Sequence, residues 1–157
     1  MNKSDLRQII LNKLEQRLQV ALSATQRAID AATDEETVPE HKYDTLALEA
    51  SYLAHGQAIR VQECEDDIRS YRELVFRESE SITMTSYLVV VDEDDNEKHF
   101  FIGPSAGGLS VDWQGHDVSI LTVNAPLGQA LMGKEAGDEA EFNVAGTSYI
   151  YEILCII

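Results

Sequence analysis

Four carboxylates, Asp34, Glu35, Glu36 and Glu40, lie within seven residues of one another. Carboxylate oxygens are hard donors, so two of them, with water or phosphate oxygens completing the shell, can hold a divalent cation such as Mg²⁺. The same residues also suit a solvated helix start, where negative charge complements the macrodipole. What they do depends on the element that carries them.

The other candidate chemistries read as structure. Gly103-Pro-Ser-Ala-Gly-Gly108 has the glycines of a phosphate loop, but it does not open into a helix and a proline follows its first glycine, so a strand-connecting loop is predicted. His41, His55, His99 and His116 share no zinc-ligand spacing and are expected to be scattered surface histidines. Cys64 and Cys155 sit within apolar patterns without CxxC spacing and are expected to be buried thiols. No Ser/His/Asp or Cys/His set can be assembled, so a nucleophilic enzyme is not indicated. Lys134 follows a glycine, with no glycine-rich loop opening a helix before it, and reads as a helix C-terminal charge.

The elements that must position these groups fall into two halves. Leu6, Ile10, Leu14, Leu18, Ala21, Thr25 and Ala28 recur in steps of three and four, which is one stripe of a helix. Tyr43, Leu46, Ala50, Leu53, Gln57, Val61, Cys64, Ile68, Tyr71 and Val75 continue the pattern as a heptad-like seam. With a single apolar stripe on each, the two helices bury them best against each other. The spacing therefore predicts an antiparallel coiled-coil hairpin over residues 1–78 with its tip at about 33–40. Thr37-Val-Pro-Glu40 reads as a capping box that starts the second helix at Val38.

Beyond Phe76 the period changes from 3.6 to 2. Residues 82–157 are predicted to form an antiparallel sheet domain of about five strands. These are Tyr87 to Val91, Lys98 to Ile102, Val118 to Val123, Ala140 to Val144 and Ser148 to Ile156. A very acidic turn joins the first two. A short helix, Leu127 to Met132, is expected to cap the sheet, with Pro126 in its first turn and Gly133 ending it. The fold class is thus α+β.

The chain carries 12 Lys and Arg against 28 Asp and Glu, a formal net charge of -16. It has no basic cluster to release counterions from a nucleic-acid backbone, so direct DNA binding is not expected. Its first residues lack the apolar region of a signal peptide, and no apolar run approaches the roughly 20 residues of a membrane span, so a cytoplasmic protein is expected.

A long hairpin with an acidic tip, followed by a small sheet domain, resembles the layout of the bacterial GreA/GreB transcript cleavage factors. Val123-Asn-Ala-Pro126-Leu-Gly-Gln-Ala-Leu131-Met-Gly133-Lys134, then Gly137-Asp138-Glu139, is similar to that family's "SPIARALIGK…GD" run. Tyr149 to Leu154 is similar to its terminal strand, and Tyr43 to Gln57 looks like its "AEYHAAREQQ" region.

The resemblance implies an FKBP-like sheet domain that docks at the rim of the RNA polymerase secondary channel through Asn124, Ala125, Pro126 and Leu127. It further implies that the hairpin enters the channel, where Asp34, Glu35, Glu36 and Glu40 help hold a Mg²⁺ shared with the polymerase and stimulate cleavage of backtracked RNA. On this reading the protein is no enzyme by itself, has no intrinsic cofactor and acts as a monomer. The tip departs from the family's Asp-Leu-Lys-Glu pattern. Counting back from Tyr43 places Glu36 at the first acidic position and Pro39 at the second, whereas a one-residue shift uses Glu40. That departure keeps two alternatives open, a regulator that occupies the channel without stimulating cleavage and a non-catalytic coiled-coil adaptor.

Overall fold

The computed structural model describes residues 2–33 and 45–157. Contacts divide the chain into one unit of Met1–Ile10 with Ser70–Ile157, and a second of Leu11–Arg69.

The second unit consists of two helices. Helix α1 spans Lys3–Thr33 and α2 spans Thr45–Arg72, so the start of α1 and the end of α2 belong to the first unit. On α1 the inner stripe is Leu14, Ala21 and Ala28, all buried, with Leu18 and Thr25 half-buried between them. On α2 it is Ala54, Gln57, Val61 and Cys64, half-buried, and then Ile68, buried. A shallow cavity of about 520 Å³ between the helices is lined by Lys13, Arg17 and Ala21 on one side and Arg60, Cys64 and Asp67 on the other. Where side chains are described, the predicted stripes are the packed ones with two departures. Tyr43, Leu46 and Ala50 lie outside the residues whose side chains are described. Val75 falls beyond the end of α2 and is 72% exposed, and the second departure is at Leu53. Leu53 is 57% exposed, and Ala54 faces inward in its place. A 3.6-residue period puts both positions near the seam, and the smaller side chain lets the helices approach. The expected helix start at Val38 lies outside the described residues.

The first unit is built on a six-stranded sheet. Its strands are β1 (Tyr87–Val91), β2 (Glu97–Ile102), β3 (Ser110–Trp113), β4 (His116–Leu121), β5 (Glu139–Val144) and β6 (Thr147–Ile156), with one short helix, α3 (Pro126–Leu131), between β4 and β5. The spatial order is β3-β4-β2-β1-β6-β5. The sheet is mixed, which corrects the expected antiparallel one. β2 and β4 run parallel, with His99 beside Val118 and Phe101 beside Ile120. The reason is the extra strand: residues 103–109 carry the chain past one strand position to β3, and a tight turn returns it as β4 into the gap. Gln114 and Gly115 both have positive φ (55° and 81°) in that turn, the backbone that matches strand twist.

β1 is apolar throughout because both its faces are covered. Leu88 and Val90 join Ile102, Leu131, Ala140, Tyr151 and Ile153 in one cluster, while Tyr87 stacks edge-on against Trp113. Burying each such aliphatic side chain contributes about 1.5–3 kcal/mol. The pairing of β1 with β6 shifts between Val89 and Val90: Val89 meets Cys155 and Val90 meets Ile153. This bulge breaks the period of two, so that Ile156 packs against the core and Cys155 is exposed. Neither thiol is the buried group expected from the pattern, since Cys64 is only half-buried.

Two contacts anchor the helix ends within this unit. The buried Tyr71 hydroxyl donates to the Ser105 carbonyl oxygen at 2.8 Å. A Cβ on Gly103 would lie 2.1 Å from that hydroxyl, so the glycine at the start of the 103–108 loop makes room for tyrosine, not phosphate. Lys3 is 8% exposed, and its Nζ donates to the carbonyl oxygens of Thr85 at 2.9 Å and Ile157 at 3.1 Å. Burial holds the Lys3 ammonium below its ordinary pKa, against the opposing pull of Glu78.

Candidate docking site on the sheet domain

Of the residues singled out in the sequence, Asp34, Glu35, Glu36 and Glu40 lie outside the described residues. Asn124, Ala125, Pro126 and Leu127 form the entry to α3. The Ala125 N–H closes a turn onto the Thr122 carbonyl oxygen at 3.2 Å, and the Gln129 N–H donates to the Ala125 carbonyl oxygen at 2.9 Å. Ala125 is extended and offers no side-chain cap. Pro126 is the first helical residue, where its fixed φ fits and its missing N–H leaves nothing unpaired. Gly133, at φ 80°, ends the turn.

This entry has two sides. Leu127 packs against the sheet core, together with Ala130, Leu131 and Met132, while Asn124 and Pro126 are exposed. Gly128 fixes the arrangement, because a Cβ there would lie 2.0 Å from the Thr122 carbonyl oxygen. No larger residue lets α3 sit this close to the strand end before it. Beyond α3 the chain is tied down again, with the Gly133 N–H donating to the Ile82 carbonyl oxygen and the Ile82 N–H to that of Lys134, each at 2.8 Å. The result is a short, uncharged loop held rigidly. It stands in a domain where residues 81–157 carry 2 basic side chains, Lys98 and Lys134, against 12 acidic ones.

The structure also assembles a group that sequence spacing did not suggest. Glu97, His99 and His116 each bring a ligand-type atom within 4.8 Å of the others. His99 Nε2 is 2.7 Å from Glu97 Oε1, its Nδ1 is hydrogen-bonded to the Tyr87 hydroxyl, and its ring stacks on that of His116 with centroids 4.2 Å apart. Burial, reinforced by Cys155 and Glu97, pushes the Tyr87 phenol up to about 12. The two histidines are 17 residues apart in sequence, and it is the parallel β2–β4 pairing and the tight turn ahead of His116 that bring them together. The alternation Glu97-x-His99 on one strand face was the only local signal.

Comparison with known proteins places these features. Residues 77–157 match the family model described as transcription elongation factor GreA/GreB, C-terminal. The chain is 31% identical over 129 residues to transcription elongation factor GreA of Mesorhizobium japonicum, covering 81% of this chain and 77% of that one. It is 40% identical over 70 residues to GreA of Nautilia profundicola, covering 44% of this chain and only 38% of that one. Among solved structures, GreA factor homolog 1 of Thermus thermophilus aligns over 94% of both chains at 16% identity with a TM-score of 0.37. The match to the family model spans just over half of the chain and includes β1 to β6 and α3. The chain belongs to the GreA/GreB family of transcription elongation factors.

Proposed function

We propose that this protein docks on bacterial RNA polymerase at the rim of the secondary channel and directs its helical hairpin toward the active site. The observation that carries the reading is the α3 entry loop: Asn124 and Pro126 are exposed on a rigid turn inside the family-matched segment. The relatives named above are transcription elongation factors. An acidic domain that presents a neutral loop suits a partner surface with a basic rim around an apolar seat, which speeds and orients the encounter. The FKBP-like character of the sheet domain rests on the family resemblance alone.

In this reading Asp34, Glu35, Glu36 and Glu40 offer oxygen ligands to a Mg²⁺ shared with the polymerase, and the polymerase performs the hydrolysis of backtracked RNA. The sequence leaves a second outcome open at that step, since a one-residue shift in register uses Glu40 and an ungapped count does not. Against the family's Asp-Leu-Lys-Glu tip, the ungapped count puts Pro39 where an acid is needed, which suits a factor that occupies the channel without accelerating cleavage. The deciding experiment follows the length of a backtracked transcript in a polymerase complex with and without saturating protein. Faster shortening that is lost on Glu35→Ala plus Glu36→Ala assigns cleavage stimulation; altered elongation or initiation without shortening assigns regulation. No effect on the polymerase in any of these assays overturns the proposal.

A further inference from the structure

We propose that Glu97, His99 and His116 form a binding site for one divalent transition-metal ion of the Zn²⁺ class on the exposed end of the β2–β4 pair. Two imidazoles and one carboxylate are a donor set suited to Zn²⁺, with the fourth position left to water. The three donor atoms already lie within 4.8 Å of one another. A tetrahedral ion with bonds of about 2.1 Å needs them roughly 3.4 Å apart, so the closure required is small. Glu97 is 53% exposed at its side chain and His116 is exposed at the start of β4, so both can move. His116 tilts out of its stack on His99 to turn a nitrogen toward the ion. A surface cavity of about 520 Å³ lies over the group, lined by Glu97, His99 and His116 together with Lys98, Asp117 and Ser119.

His99 is the fixed member. It is 9% exposed, and the hydroxyl of the buried Tyr87 holds its Nδ1, leaving Nε2 aimed at Glu97 and the cavity. Metal-binding histidines characteristically have their second nitrogen held in this way, which sets the tautomer and the ring direction. The tautomer with its proton on Nε2 donates that proton to Glu97 and accepts the Tyr87 hydroxyl at Nδ1. On binding, that proton resides on Nδ1 and is donated to the Tyr87 oxygen, so Nε2 presents its lone pair to the ion. The site is separate from the α3 entry loop and needs no polymerase.

The test is calorimetric titration of Zn²⁺ into the full chain with excess Mg²⁺ present, which occupies sites made only of carboxylates. The expected result is one Zn²⁺ per chain. His116→Ala and Glu97→Gln, both at exposed positions, should each weaken binding about tenfold or more, and Tyr87→Phe should weaken it by about 10–100-fold, the cost of losing an orienting partner. Near-ultraviolet circular dichroism of the buried Trp113 checks that each variant is folded. Absence of stoichiometric Zn²⁺ binding by the wild type overturns the proposal, and so does binding that is unchanged in His116→Ala and Glu97→Gln.

Discussion

In the sheet unit Leu88, Ile102, Leu131 and Ile153 lose nearly all contact with water, whereas Tyr52, Leu53 and Ile59 of α2 remain 69%, 57% and 50% exposed. One unit buries large side chains on both faces of a central strand. The other closes on a single stripe containing Ala21, Ala28 and Gln57, and Gln57 Oε1 is buried there without a hydrogen-bond partner among the described residues. The difference is between a rigid body that can present a loop in one orientation and a rod whose packing is only as wide as its seam. The burial of large side chains is concentrated in the first.

The same chemical change made in both units should break the comparison most sharply. Gly128→Ala drives a methyl group into the Thr122 carbonyl oxygen and should cost about 3 kcal/mol. Trp113, the single tryptophan and buried in the sheet unit, should report the loss as an earlier fluorescence transition in urea. Lys3→Met removes the donor to the Thr85 carbonyl oxygen, while the Ile157 oxygen keeps the Tyr87 N–H at 3.0 Å, and should cost about 1–3 kcal/mol by the same probe.

Lys3 should also leave a mark on the pH profile. Its folded pKa is lowered, so the unfolded chain binds the proton more tightly, and stability rises with pH between the folded value and the ordinary lysine range. That alkaline gain should be missing in Lys3→Met. In the helical unit, a Cβ on Gly56 would point into open space among the described residues, so Gly56→Ala should stabilise by about 1 kcal/mol. Far-ultraviolet ellipticity, which weights the helices, should register it while Trp113 fluorescence stays unchanged.

The smallest effect is expected at the β1–β2 turn. Asp92 Oδ1 accepts from the backbone N–H groups of Asn96 and Asp94, each at 2.9 Å, and these bonds, that of Asn96 foremost, hold its carboxyl below the usual range. The stability it contributes is present above the ordinary carboxylate range and lost as pH falls through its folded value. Asp92→Ala should flatten that acid limb slightly, as seen in thermal melts across acidic pH.

Much of this comparison was legible in the sequence, because hydrophobic periodicity reports what each element buries. The stripe from Leu14 to Ala28 and the seam from Gln57 to Ile68 are the packed faces, and Pro126 and Gly133 bracket α3 as their conformations require. What escaped depended on contacts distant in the chain. The parallel β2–β4 pairing follows from how a loop skips one strand position. The bulge opposite Val89 and Val90 exposes Cys155, and no local pattern announces it. His99 and His116 meet only once that pairing exists, and the burial of Lys3 needs Thr85 and the terminal Ile157 brought to one place. The docking loop was visible as a motif, but the close approach that makes Gly128 necessary was not.

The central claim is that the rigid α3 entry seats this chain on RNA polymerase. Its most direct test is equilibrium binding of the full chain to bacterial RNA polymerase core enzyme, comparing wild type with Pro126→Arg. The account predicts saturable one-to-one binding by wild type and a loss of about tenfold or more in the variant, with an unchanged Trp113 transition in urea. Wild type that does not bind, or a variant that binds as tightly as wild type, would contradict it.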